Sequence, residues 1–115
     1  MLGRMARTLV VKVTAGADAP ERCSQAFTVA ATAVASGVSV SLWLTGESAW
    51  FALPHAAPLE DLLAAVLAAG RVTLCTQCAA RRGIAPEDTI AGVRVAGAAA
   101  FVEEALADGA RALVY

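Results

Sequence analysis

Val72-Thr73-Leu74-Cys75-Thr76-Gln77-Cys78-Ala79-Ala80-Arg81-Arg82-Gly83-Ile84 changes its local order in mid-course. Val72 to Leu74 is a short apolar run of the kind that forms a buried strand, and it leads straight into Cys75. Thr76 to Arg82 then reads as a short helix stopped at Gly83. A strand that hands directly to a helix is the unit of a parallel α/β fold. Ligands of such folds bind outside the carboxyl ends of the strands, where Cys75 stands.

The same alternation runs outward in both directions. Upstream, Leu9, Val10, Val11 and Val13 form a first strand within Arg7 to Thr14, and Ala15-Gly16-Ala17 a turn. Asp18 and Glu21 have the spacing of a helix N-cap and its reciprocal partner, with Pro20 tolerated in the first turn. Cys23, Ala26, Phe27, Ala30 and Val34 fall on one helical face, and Gly37 is the expected C′ residue. Val38 to Leu44 makes the second strand. Thr45-Gly46-Glu47-Ser48 opens a short helix carrying Trp50 and Phe51, and a proline-bounded loop holds His55. Leu59, Leu62, Leu63, Val66 and Leu67 stripe a further helix ended by Gly70.

Downstream, Pro86-Glu87-Asp88 lies in a connector, Val93 to Val95 forms a fourth strand, and Phe101, Val102, Ala105 and Leu106 mark a last helix ended by Gly109. Ala112 to Val114 closes the chain as a fifth strand. Strand and helix alternate throughout, which implies an α/β fold with a mostly parallel five-stranded sheet covered by helices on both faces. Residues 1–6 read as a disordered leader and residues 7–115 as a single domain.

Composition narrows the function. The net charge is −1 with no basic stripe, which argues against nucleic acid as a partner. Arg22 to Glu47 encloses a charge-free stretch long enough to span a bilayer. Gly37 divides it, and its apolar period changes there from helical to alternating, so it reads as a buried helix and a buried strand with no membrane role. Three cysteines, at 23, 75 and 78, with no secretory signal, argue against a disulfide scaffold and for a cytoplasmic protein. Of 115 residues 58% are apolar, much of this alanine, which buries little surface; subunit contacts are expected to complete the core.

Cys75 and Cys78 are the candidate catalytic residues. Backbone N–H groups at a helix start favour an anion, so the Cys75 thiolate should be stabilised. Cys78, three residues on, would reach it as a resolving thiol, as a second ligand, or would serve as packing. Thr76 and Gln77 between them, Arg81 and Arg82 as sources of positive potential, Glu47 at another strand end and His55 as a proton shuttle are the supporting candidates. The plainer readings are a solvated His55, a Glu47 that steadies a helix start, and Trp43, Trp50 and Phe51 as core or interface packing. Glu103 and Glu104 read as a solvated face. Cys23 reads as a core residue. One Cys-x2-Cys gives two of the four ligands that structural zinc needs, so no metal is expected, and no cofactor. No phosphate-binding glycine loop is present.

Leu74-Cys75 followed by Arg81-Arg82-Gly83-Ile84, with the opening strand and helix, the Leu44-Thr45-Gly46 after the second strand, and the closing helix and strand, resembles the DsrE/DsrF-like family, which includes TusD-like sulfur-relay proteins. The resemblance implies a three-layer α/β/α, Rossmann-like fold, usually assembled as trimers or hexamers. It implies a persulfide on Cys75 exchanged with a sulfur donor and acceptor protein, a sulfurtransferase or sulfur-carrier role. Cys78 departs from the family pattern, because a neighbouring thiol can discharge a persulfide as hydrogen sulfide. Two other readings stand beside sulfur transfer: a thiol–disulfide redox protein using the Cys75/Cys78 pair, and a non-enzymatic oligomeric binding domain.

Overall fold

The computed structural model describes residues 7–115, so the leader expected over residues 1–6 lies outside it. Five strands, β1 (Thr8–Val13), β2 (Ser39–Leu44), β3 (Arg71–Cys75), β4 (Arg94–Ala96) and β5 (Ala110–Val114), form one sheet in the order β4-β3-β2-β1-β5. Every pairing is parallel. The helices are α1 (Pro20–Ala35), α2 (Glu60–Ala69), α3 (Thr76–Arg81) and α4 (Ala98–Ala105), with 3-10 turns over Gly46–Ala52 and Pro86–Asp88.

The pleat sorts the strand residues. Val11, Val13, Leu42, Leu44, Val72 and Leu74 face α1 and α2, where they pack with Cys23, Ala26, Phe27, Ala30, Leu63 and Val66 as the main core. Phe51 closes its edge, 6.2 Å from Phe27 in an edge-to-face pair. The opposite face carries Val10, Lys12, Ser41, Trp43, Thr73 and Cys75, and α4 covers part of it. Phe101 of α4 meets the ring of the buried Trp43 at 5.4 Å. Trp50, on the 3-10 turn, is left exposed.

Helix ends show which local signals acted. Gly37 takes φ +81°, and the N–H groups of Gly37 and Val38 bond the carbonyls of Val34 and Ala33. That is the Schellman closure expected at this glycine. The start of α1 differs from expectation. Ala19 is the N-cap, and Asp18 turns back so that its Oδ1 accepts the N–H of Gly16 at 2.8 Å. This backward bond to Gly16 has won over the cap, and Pro20 at the first position lacks an N–H that would need one.

The last helix also departs from the sequence reading. Its inward stripe is Phe101, Glu104 and Ala105, while Val102 and Leu106 point outward. Glu104, expected on a solvated face, has only 16% of its side chain exposed. Its Oε1 accepts from Ser41 Oγ and, at 3.0 Å, from Trp43 Nε1. Its Oε2 accepts from Arg94 and from Arg71. Arg94 also donates to Thr73 Oγ1 at 2.9 Å and lies over the Trp43 ring. One carboxylate thus ties α4 to β2, β3 and β4. No helix of the described residues is long and apolar enough to cross a membrane.

Candidate active site

The carboxyl ends of β1, β2 and β3 bring three loops together. A Cβ on Gly16 would lie 2.7 Å from the Glu47 backbone, and one on Gly46 would lie 2.8 Å from the Thr14 carbonyl oxygen. Gly46 also has φ +51°, a left-handed conformation that favours glycine. The absence of side chains at these two positions lets the loops after β1 and β2 touch. Hydrogen bonds then fix them: the N–H of Glu47 to the Thr14 carbonyl at 3.1 Å, Thr45 Oγ1 to the Val13 carbonyl at 2.8 Å, and Ser48 Oγ to the same carbonyl at 2.7 Å. The outcome is a rigid Gly46 N–H aimed at Cys78 Sγ, 3.2 Å away.

Cys75 is the N-cap of α3 and the last residue of β3, half-buried at the strand end. Thr76 and Gln77 follow it, exposed on the first turn. Burial pushes the Cys75 thiol up. The N–H and thiol of Cys78, the N–H of Gln77 and the charge of Lys12 outweigh that, and the thiol stands below its ordinary value. Thiolate is the reactive form of a cysteine. Cys23 contrasts with it: burial, helped by the negative charge of Asp18, pushes that thiol up to about 11. Cys23 lies wholly within the core.

The supporting residues fall into different places. Arg82 does not present a free charge to Cys75. Its Nη2 and Nε bind Glu47 Oε2 at 2.8 and 3.3 Å, and its Nη1 donates to the Cys78 carbonyl at 3.2 Å. Glu47 and Arg82 therefore strap the end of α3 to the loop after β2. Arg81 is exposed at the far end of α3. His55 adopts φ +62°, has 90% of its side chain exposed, and pairs with Glu60 at 3.2 Å. It lines a groove of about 340 Å³ with Pro54, Leu63, Leu67 and Ile90, a groove that neither Cys75 nor Cys78 lines. Among the described residues no three His, Cys, Asp or Glu side chains are grouped to hold a metal ion.

Two contributors were missed from the sequence. Lys12 is far from Cys75 in the chain but shares its sheet face. The signal was the alternation of β1, which places Lys12 opposite the core-facing Val11 and Val13. Gly46 was seen as part of a helix start, but nothing in the sequence shows where its N–H points.

A parallel α/β sandwich with a low-lying thiol at a strand end, and a second thiol one helical turn away, defines a Rossmann-like cysteine domain. The chain belongs to the DsrE/DsrF-like family, whose pattern matches residues 8–115. Its fold is similar to that of the ychN protein of E. coli, with a TM-score of 0.80 at 20% identity over 96% of this chain and 100% of that one. It is also similar to MTH1491, a protein of unknown function from Methanobacterium thermoautotrophicum, at 0.75 and 12% identity over 95% and 99% of the two chains. BT1422, a conserved protein of unknown function from Bacteroides thetaiotaomicron, matches at 0.66 and 17% identity over 98% and 100%. At these identities the likeness is one of fold. No curated protein matches the chain in sequence.

Proposed function

We propose that this protein is a sulfur carrier or sulfurtransferase that holds sulfur as a persulfide on Cys75. The observation that carries the reading is the Cys75 thiol, placed at the carboxyl end of β3 and held below its ordinary value. Membership of a family generally connected with sulfur relay supports it. The Cys75 thiolate attacks the outer sulfur of a donor persulfide. The donor S–S bond breaks, its electron pair leaves on the donor thiolate, and a new S–S bond forms at Cys75. An acceptor thiolate then takes the outer sulfur, and the electron pair returns to Cys75. No net oxidation occurs and no cofactor is required. The setting we propose is the cytoplasm, where thiols stay reduced.

The carrier is proposed to act as a homo-oligomer, a trimer or hexamer, meeting donor and acceptor proteins. The exposed side chains of Val102 and Leu106, with Val114 on the sheet face that α4 covers, are the apolar surface we propose for contact between copies.

Incubation with a persulfide donor followed by intact-mass analysis tests the carrier reading. The wild type should gain one sulfur atom and Cys75→Ser none. An unmodified wild type overturns the proposal. The Cys78 thiol, one helical turn on from Cys75 and among the groups that lower it, favours a second reading, thiol–disulfide exchange. Attack by Cys78 on the inner sulfur of the Cys75 persulfide would form a disulfide and expel hydrosulfide. A pair that stays reduced under mild oxidant rules that reading out.

A further inference from the structure

We propose that Lys12 makes the Cys75 site selective for anionic sulfane-sulfur donors, a deepening that rests on Cys75 being the sulfur-carrying thiol. Lys12 is half-buried on β1 and shares its sheet face with Cys75. In the parallel register Lys12 is level with Trp43, and Trp43 with Thr73; Cys75 stands two residues beyond Thr73 on the same side. The ammonium lies 5.2 Å from the centre of the Phe101 ring, and that ring rests against Trp43. The aromatic pair thus gives the lysine head a fixed seat on this face.

Three of the neighbouring guanidiniums are engaged by carboxylates. Arg82 is bound to Glu47, and Arg94 and Arg71 share Glu104. Among the described residues Lys12 has no carboxylate within ion-pair distance. Its charge is unpaired, and it is the cation whose field lowers the Cys75 thiol.

That charge has a consequence for the donor. Persulfides and polysulfides are largely ionised at neutral pH, so a thiolate and an anion must meet. When the Cys75 thiolate bonds to a sulfane sulfur of an inorganic polysulfide, the adjacent S–S bond breaks and the shortened chain leaves with the electron pair. Negative charge is present on both reactants and on the leaving chain. An unpaired ammonium on the same sheet face, two strands from the thiolate, offsets part of that repulsion and favours charged donors over neutral organic trisulfides.

The test compares alkylation of Cys75 by iodoacetate and by iodoacetamide, read by peptide mass spectrometry on the folded protein. The ratio of the two rates cancels any change in thiolate fraction. Lys12→Gln should lower the iodoacetate-to-iodoacetamide ratio by about two- to fourfold at low ionic strength, as expected for unit charges about 10 Å apart, two strands across, near a protein surface. Lys12→Arg should restore it. In the wild type the ratio should fall as salt rises, because the Debye length shrinks to about 10 Å at 0.1 M; this arm needs no variant to fold. Loading with inorganic polysulfide should slow in Lys12→Gln more than loading with a neutral trisulfide. A ratio unchanged by Lys12→Gln and by salt overturns the selectivity. The ratio is read whether or not the wild type takes up sulfur, whereas a wild type that gains no sulfur from either donor overturns the carrier reading alone.

Discussion

Replacing Glu104 by alanine should cost this small domain a large part of its stability. Ser41 and Trp43 are 4% and 1% exposed, and their side-chain donors meet in Glu104 Oε1. A buried donor left without its acceptor costs about 1–3 kcal/mol. Arg94 keeps Thr73 and some water, and Arg71 is more than half exposed, so their lost ion pairs add about 0–1 kcal/mol after solvent screening. Two such donors and the ion pairs span about 2–7 kcal/mol; water entering the vacated site puts the expected loss at the lower end, about 3 kcal/mol, against a total of about 5–15 kcal/mol for a domain. Urea denaturation at fixed protein concentration reads it. With a slope of about 1.5 kcal/mol per molar, the midpoint should fall by about 2 M. Glu104→Gln keeps an acceptor and should lose roughly half as much. Glu103→Ala, on the exposed side of the same helix, should shift stability by less than about 0.5 kcal/mol. A Glu104→Ala midpoint within about 0.3 M of wild type would refute the reasoning, since it would mean the carboxylate is as solvated as its neighbour.

Three other outcomes follow from the same structure. Burial pushes the Glu104 carboxyl up, but the bonds from Ser41, Trp43 and Arg94 and the charge of Arg94 hold it below its ordinary 4.5; its contribution is therefore full above pH 4.5 and lost as pH falls through the lower native value, so acid unfolding of the wild type should be steeper than that of Glu104→Gln. Gly46→Ala meets both φ +51° and the Thr14 carbonyl, and should cost about 2 kcal/mol or more in the same urea assay, whereas Gly37→Ala meets open space and should cost only the left-handed backbone term of about 1 kcal/mol. Leu106→Glu should lower the mass of the assembly seen by light scattering at micromolar concentration if the exposed α4 and β5 side chains join copies; an unchanged oligomer would place the interface elsewhere.

Much of the fold was legible because local signals and tertiary demand agreed. Gly37 ends α1 where the apolar period changes, and the Val72–Leu74 run brings Cys75 to the carboxyl end of the sheet at a helix start. The N-cap of α1 misled because Asp18 had two short-range partners to choose between, and spacing alone does not rank them. Glu104 misled for a different reason. It sits three residues after Phe101, on the buried stripe, but a charged residue on a surface helix is ordinarily solvated. Only the three-dimensional meeting of Ser41, Trp43, Arg94 and Arg71 makes a carboxylate the right residue there. In the site, Arg82 was assigned a charge that Glu47 neutralises, while Lys12, 63 positions before Cys75, supplies it. Sequence neighbourhood was a poor guide because a parallel sheet builds its sites from strands distant in the chain.

The most direct test of the central claim is the pH dependence of iodoacetamide labelling at Cys75, with Cys23 and Cys78 read separately by peptide mass spectrometry. Cys75 should label with a midpoint below that of an ordinary thiol while Cys23 remains slow. A Cys75 midpoint at or above the ordinary value would contradict an activated sulfur-carrying thiol at the end of β3.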